Sequence, residues 1–307
     1  MIVCCGEALV DFIPVRAEDG EEAYRPAAGG SPYNVALALG RLGAKAGFMG
    51  GISTDFFGSL LWRTLEASKV DLSYTVRTDR PTVLAFVSFG NGEPQYAFYD
   101  EGSAGRWFDP AEARPIGSEV ECLHAGAISL IGEPVASNIE CLFLGETGRR
   151  VLSIDPNVRP SLVRNEPAYR ARLDRMLGAA NVVKISRADL DWLAPKTDPR
   201  EWARARIERG AGLVVLTAGS EGARAITASL DIWQPAVPVE VVDTVGAGDA
   251  FAAGLLWALQ SRGLLSHEAL GIISELDLRE ALELAARSAA LTCTRAGANP
   301  PWVDELL

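Results

Sequence analysis

Histidine is almost missing from this chain: His124 and His267 are the only two in 307 residues. That scarcity leaves little material for a histidine-rich zinc site or a Ser-His-Asp triad, so a structural role is expected of both. Cysteine is sparse as well, five residues with Cys4 and Cys5 adjacent and no Cys-x-x-Cys spacing. Reduced, buried thiols are expected rather than a disulfide framework. Basic charge is in deficit, and the net charge of −11 opposes binding along a nucleic-acid backbone. It does not oppose a nucleotide, whose phosphates are held by local backbone N–H groups and magnesium. No Gly-x-x-x-x-Gly-Lys-Ser/Thr loop occurs, and no Gly-x-Gly-x-x-Gly opens the first helix, which argues against a P-loop and a dinucleotide fold. Met1 to Val10 has no basic n-region, and Glu7 and Asp11 arrive too early for a signal peptide or a span of about 20 apolar residues. A cytoplasmic protein is expected.

What is present is an alternation. Short β-branched runs (Ile2 to Cys5, Ala46 to Gly50, Val120 to His124, Val151 to Asp155, Val182 to Ile185, Leu213 to Thr217) recur between helical patterns, as in a mostly parallel sheet covered by helices. One helix is predicted from Ser31 as N-cap and Pro32 in the first turn, with Val35, Leu39 and Leu42 on one face and Gly43 as stop. A second runs from about Ala247 to Arg262 and stops at Gly263. A third opens with Asp277 and Glu280 and lines up Leu282, Ala286, Ala289 and Cys293. Two stretches, about 12–26 and 74–99, break the rhythm; Thr82 to Phe89 and Gln95 to Tyr99 flank Gly90-Asn91-Gly92 as a hairpin. They read as a small β-lid, or as extensions of the main sheet. No linker divides the chain, so a single domain over 1–307 is expected.

The most informative segment runs from Val241 to Phe251, a strand passing through Gly246, Ala247 and Gly248 into an apolar helix. Small residues let a ligand approach the backbone, and the first amides of a helix lack internal partners. With the helix dipole added, this end suits negative charge developing on a transferring phosphoryl group. Asp249 falls in the first turn, where the dipole favours its ionised form and it can accept a proton from an attacking alcohol. An aspartate there can equally be a helix cap.

Gly29-Gly30-Ser31-Pro32-Tyr33-Asn34 and Asp243 to Phe251 resemble the two signatures of the ribokinase-like, PfkB-type carbohydrate kinases, and the similarity spans nearly the whole chain. Gly6 to Phe12 looks like that family's first strand with its sugar-contacting aspartate. Asp155 to Pro160 and Cys293 to Ala298 look like bacterial fructokinases. The resemblance implies an α/β, ribokinase-like three-layer fold with a mostly parallel central sheet and a β-lid. It implies Asp249 as catalytic base, Gly246, Ala247 and Gly248 as anion hole, and Asp11, Gly29, Gly30, Asn34, Phe98 and Arg159 around the sugar. Asp11 as a turn residue and Arg159 as a surface arginine stay open.

For the nucleotide it implies Lys184, Thr217, Gly219 and Gly222, although Thr217 to Gly222 alone is an ordinary β-turn. The small face of Ala286, Ala289 and Ala290 leaves room for adenine or for helix packing. The chain departs from the family at Lys184 to Asp189, where Asp189 replaces the usual glutamate; with Ser186 it is expected to organise magnesium through water. Whether potassium binds near Asp243 is left open. The implied activity is transfer of the γ-phosphoryl group of magnesium ATP to a primary hydroxyl, with fructose first. Alternatives are 2-keto-3-deoxygluconate kinase, ribokinase or nucleoside kinase, and a non-catalytic sugar sensor on the same fold. An acidic pair, Asp100 and Glu101, is expected to repel a substrate carboxylate, and the lid, with Tyr96 and Phe98 on one face, to pair two copies as a homodimer.

Overall fold

A computed structural model describes the backbone of residues 1–90 and 93–306, with side chains described except at 87–90 and 93–96. The chain opens with β1 (Ile2–Cys5), β2 (Leu9–Arg16) and β3 (Glu22–Gly29), then α1 (Ser31–Arg41), β4 (Ala46–Met49), β5 (Gly51–Ser53) and α2 (Phe56–Ala67). Strands β6 (Val76–Thr78), β7 (Val83–Gly90), β8 (Glu93–Tyr99) and β9 (Cys122–Gly126) follow, then α3 (Val135–Gly145), β10 (Val151–Asp155) and α4 (Glu166–Ala179). After β11 (Val182–Ser186) come α5 (Arg187–Leu193), α6 (Pro199–Glu208), β12 (Leu213–Thr217), β13 (Gly222–Ile226) and β14 (Asp231–Pro235). The C-terminal part is helical: α7 (Ala247–Ser261), α8 (His267–Gly271), α9 (Glu275–Cys293) and α10 (Val303–Leu306).

Eight strands form the central sheet in the order β14-β13-β12-β11-β10-β9-β1-β4. From β4 to β12 neighbours are parallel, and β13 and β14 add an antiparallel edge. The alternation along β1 shows how the layers arise. Ile2 and Cys4 join a core with α1, α2, α7 and α9, whereas Val3 and Cys5 join one with α3, α4 and α6. A strand covered on both faces must be apolar at every position, and β1 is buried throughout. Each fully buried leucine in these cores, such as Leu39 or Leu173, contributes roughly 1.5–3 kcal/mol.

The expected strand over Val120 to His124 lies two residues later, because 117–120 close a turn in which Val120 N–H bonds the Gly117 carbonyl. A separate four-stranded sheet, β3-β2-β7-β8, carries the lid stretches. Within it β2–β3 and β7–β8 are antiparallel while β2 and β7 pair in parallel. Residues 74–82 fall outside this sheet: Tyr74 is buried in the central core, and β6 pairs with β5. The stacked rings of Phe12 and Phe86, 4.5 Å apart, join β2 to β7. Asn91 and Gly92 of the expected turn lie outside the described residues, as does the Tyr96 side chain. Among the described residues no helix is long and apolar enough to cross a membrane. All five cysteines are free, but Cys141 is exposed rather than buried, since it faces away from the α3 core.

Candidate active site

The carboxyl ends of the parallel strands converge on one edge of the sheet, where open α/β folds place their ligands. Glu7 follows β1, Asp155 ends β10, Ser186 ends β11 and Thr217 ends β12. Opposite them stand the first turns of α1 and α7, bringing Ser31, Asn34 and Asp249 together.

Asp249 is 6% exposed, and both of its oxygens are engaged. Oδ1 accepts from the Ser31 hydroxyl at 2.7 Å and Oδ2 from the Asn34 amide at 2.9 Å. Burial pushes its pKa up to about 6, against the pull of those two donors and of Lys184. The first-turn position favours the ionised form through the helix dipole, and burial works against it. Gly246 is the N-cap of α7, at φ 78, and a Cβ there would lie 2.7 Å from that of Ala298. The Ala247 amide turns back to the Thr244 carbonyl. The Gly248 and Asp249 amides have no hydrogen-bond partner among the described residues. Asp243 fixes the approach to this turn by accepting from Val245 N–H and, across the loop, from Gly297 N–H.

On the lid side, burial raises Asp11 to about 6, opposed by the nearby charge of Arg159. Gly29 is what admits the Asp11 carboxylate, because a Cβ there would sit 2.3 Å from its Oδ2. Arg159 Nη1 donates to the Asn157 side-chain oxygen and to the Asn157 and Val158 carbonyls. Asn34 Oδ1 is buried without a protein partner, and Phe98 packs against Leu9, Val83 and Ala85. Asp100 does not present a bare charge. Arg106 pairs with it at 2.6 Å, so the expected repulsion of a substrate carboxylate loses its main element.

On the other side of α7 lies a cavity of about 520 Å³ lined by Thr217, Gly219, Gly222, Gly248, Ala286, Ala289, Ala290 and Cys293. The small face of α9 therefore borders open space as well as a helix. Beneath the turn, Lys184 Nζ bonds Asp155 Oδ2 at 2.6 Å, both buried. Burial alone would strip the lysine, yet the Asp155 carboxylate holds its pKa above the ordinary value. A Cβ on Gly248 would lie 3.1 Å from that ammonium. Ser186 and Asp189, expected around magnesium, form a reciprocal cap at the start of α5. Asp189 Oδ2 takes the Ser186 hydroxyl and Oδ1 the Val158 N–H, whereas Asp155 Oδ1 has no protein partner.

Ser31 was expected to cap α1. Gly30 holds that position, at φ 106, and Ser31 is already helical. Glu7 was missed altogether. Its carboxylate accepts from the Ser31 and Ser129 amides, and burial raises it to about 7. The available signal was an acidic residue two positions after a wholly apolar strand. His124 is structural, as expected: it is buried, contacts Ser153, and is held near pKa 3 by burial and by Lys184.

The model of the pfkB family carbohydrate kinases matches residues 1–305. A fructokinase of Rhizobium leguminosarum bv. trifolii is 44% identical over 279 residues, covering 91% of this chain and 86% of that protein. The structure of a Xylella fastidiosa fructokinase with bound ATP superposes with a TM-score of 0.91 at 30% identity, over 99% of this chain and 96% of that one. A double mutant of Vibrio cholerae O395 fructokinase, with fructose, ADP and potassium bound, superposes with a TM-score of 0.83 at 27% identity, over 97% and 93% of the two chains.

Proposed function

The chain belongs to the pfkB family of carbohydrate kinases, and we propose that it is a fructokinase in which Asp249 takes the proton of the fructose 6-hydroxyl as that oxygen attacks the γ-phosphorus of ATP. The observation that carries the mechanism is the pairing of a held carboxylate with unpartnered helix amides at Gly248 and Asp249. The new P–O bond forms while the bond to the β–γ bridging oxygen breaks, and the amides face the charge that gathers on the phosphoryl oxygens. ATP occupies the cavity between Thr217, Gly222 and the alanines of α9, with Lys184 beneath the phosphates. Asn34 Oδ1, an acceptor lacking a partner, takes a sugar hydroxyl, and Asp11 and Arg159 take others.

Magnesium enters with the nucleotide. It keeps most of its waters and needs few protein ligands, which fits a chain in which both Asp189 oxygens are occupied and Asp155 Oδ1 is not. Potassium is present in the Vibrio cholerae structure; here the 243–246 turn is the segment to test for it. The free cysteines accord with a cytoplasmic setting. A homodimer through the lid is supported by Tyr24 and Tyr99, exposed on its strands; a concentration-independent monomer mass in sedimentation would refute it.

Fructose is favoured by the similarity to fructokinases, and the Asp11 carboxyl near Arg159 works against that cation's pull on a substrate carboxylate. Kinetics with a sugar panel, ATP and magnesium test the assignment. The expected result is kcat/KM for fructose at least about tenfold above 2-keto-3-deoxygluconate and ribose, ~1.4 kcal/mol in transition-state binding. A preference for the keto acid that Arg159→Ala removes selectively would overturn it.

A further inference from the structure

Ser31 occupies a position where a serine normally serves its own helix, and it does not. Gly30 is the N-cap of α1 and makes no side-chain cap. The partner of the Ser31 amide is Glu7 Oε1, at 3.0 Å, reaching in from the end of β1. The approach depends on Gly30, since a Cβ there would lie 2.5 Å from the Glu7 carbonyl oxygen. With its backbone fixed in this way, the Ser31 hydroxyl points across to α7 and donates to Asp249 Oδ1 at 2.7 Å, in a buried contact spanning 218 residues of sequence.

Resting on the assignment of Asp249 as the base, we propose that Ser31 is a positioning residue for it. Its hydroxyl, set in place by Glu7, orients the carboxylate and favours its ionised form. A buried carboxylate deprived of a donor holds its proton more tightly. The two donors also divide the work geometrically: Asn34 holds Oδ2, and Ser31 keeps Oδ1 from rotating toward another partner. The other charged or titratable groups acting on Asp249 are Asp155 on β10, Lys184 on β11, Asp11 on β2 and Cys4 on β1. All four, and Glu7 on the Ser31 amide, are retained in the Ser31 variants, so a shift between those proteins reads the hydroxyl.

The experiment measures kcat and KM for fructose and ATP across about pH 5 to 9 for the full-length Ser31→Ala, Ser31→Thr and Asp249→Asn proteins. In Ser31→Ala the acidic limb of kcat/KM is expected to move up by about one pH unit. Both KM values should stay within about twofold, and Ser31→Thr should return the limb toward the parent. An unmoved limb in Ser31→Ala, or a raised KM for fructose with the limb in place, would overturn the proposal. Asp249→Asn separates the two levels of inference. If it keeps near-parental turnover, the base assignment itself fails; if it is inactive while the Ser31→Ala limb stays put, only the positioning role fails. Should Ser31→Ala not fold, Ser31→Cys, a weaker donor of similar size, is read in the same way.

Discussion

Helices α1 and α7 meet the site with the same kind of end and opposite contents. Each starts from a glycine at positive φ, Gly30 at 106 and Gly246 at 78, and neither has a side-chain cap. On α1 the positive end is filled by the chain's own anion, the Glu7 carboxylate on the Ser31 amide. On α7 the Gly248 and Asp249 amides bond nothing among the described residues. Unsatisfied N–H groups and the dipole make both ends anion sites. An end occupied by the protein is architecture, and one left open is available to chemistry. The two ends are joined by side chains, since Ser31 and Asn34 of α1 both donate to Asp249 of α7.

The largest effect should come from striking the open end. Asp249→Asn preserves shape and lets Ser31 and Asn34 keep contacts, but it removes the proposed proton acceptor; kcat is expected to fall by at least ~10²-fold, with thermal stability and ATP affinity nearly unchanged. Stopped assays of ADP release, together with nucleotide titration, check both halves. Turnover within a few-fold of the parent would place Asp249 with the structural caps.

How far the sequence went follows from the same contrast. The parallel strands were readable because burial on both faces enforces apolar runs, as in β1 and β12. The α7 turn was readable from its glycines and aspartate ahead of an apolar helix, although the strand expected from Val241 is instead an exposed loop between β14 and α7. What could not be read was anything requiring two distant segments at once: Ser31 meeting Asp249 is a fact of α1 packing on α7. The resemblance pointed to Asp189 for magnesium; what could not be read locally is that Ser186 also makes it the cap of α5. Asp100 looked like a repelling charge until the fold supplied Arg106.

The filled end is tested through pH. Glu7 has a folded-state pKa of about 7 against an ordinary 4.5, so the folded protein binds this proton more tightly than the unfolded chain. Its contribution to stability is therefore complete below about pH 4.5 and is lost as pH rises through about 7. Glu7→Gln is uncharged throughout. Across that window the parent should lose up to about 3 kcal/mol of unfolding free energy relative to the variant. Urea unfolding at either end of the range measures the difference. Parallel stabilities would mean that Glu7 carries no shifted titration.

A third helix end supplies the smallest and most discriminating test. The N-terminus of α9 is capped by its own Ser274, whose hydroxyl accepts from Asp277 N–H and donates to the Asp277 carboxylate. The predicted opening at Asp277 and Glu280 was therefore a few residues late, and Glu280 instead bonds Arg262. The cavity proposed for the nucleotide touches α9 only from Ala286 onward, about 18 Å along the axis from Ser274 at ~1.5 Å per residue. Ser274→Ala removes a helix cap of the ordinary kind, so it should cost ~1 kcal/mol of stability. Because neither Asp249, its donors nor the open amides of α7 touch this end, kcat and both KM values should match the parent. A drop in kcat from Ser274→Ala would show that helix-end satisfaction anywhere in this layer reaches the active site. The separation between architectural and chemical helix ends would then fail.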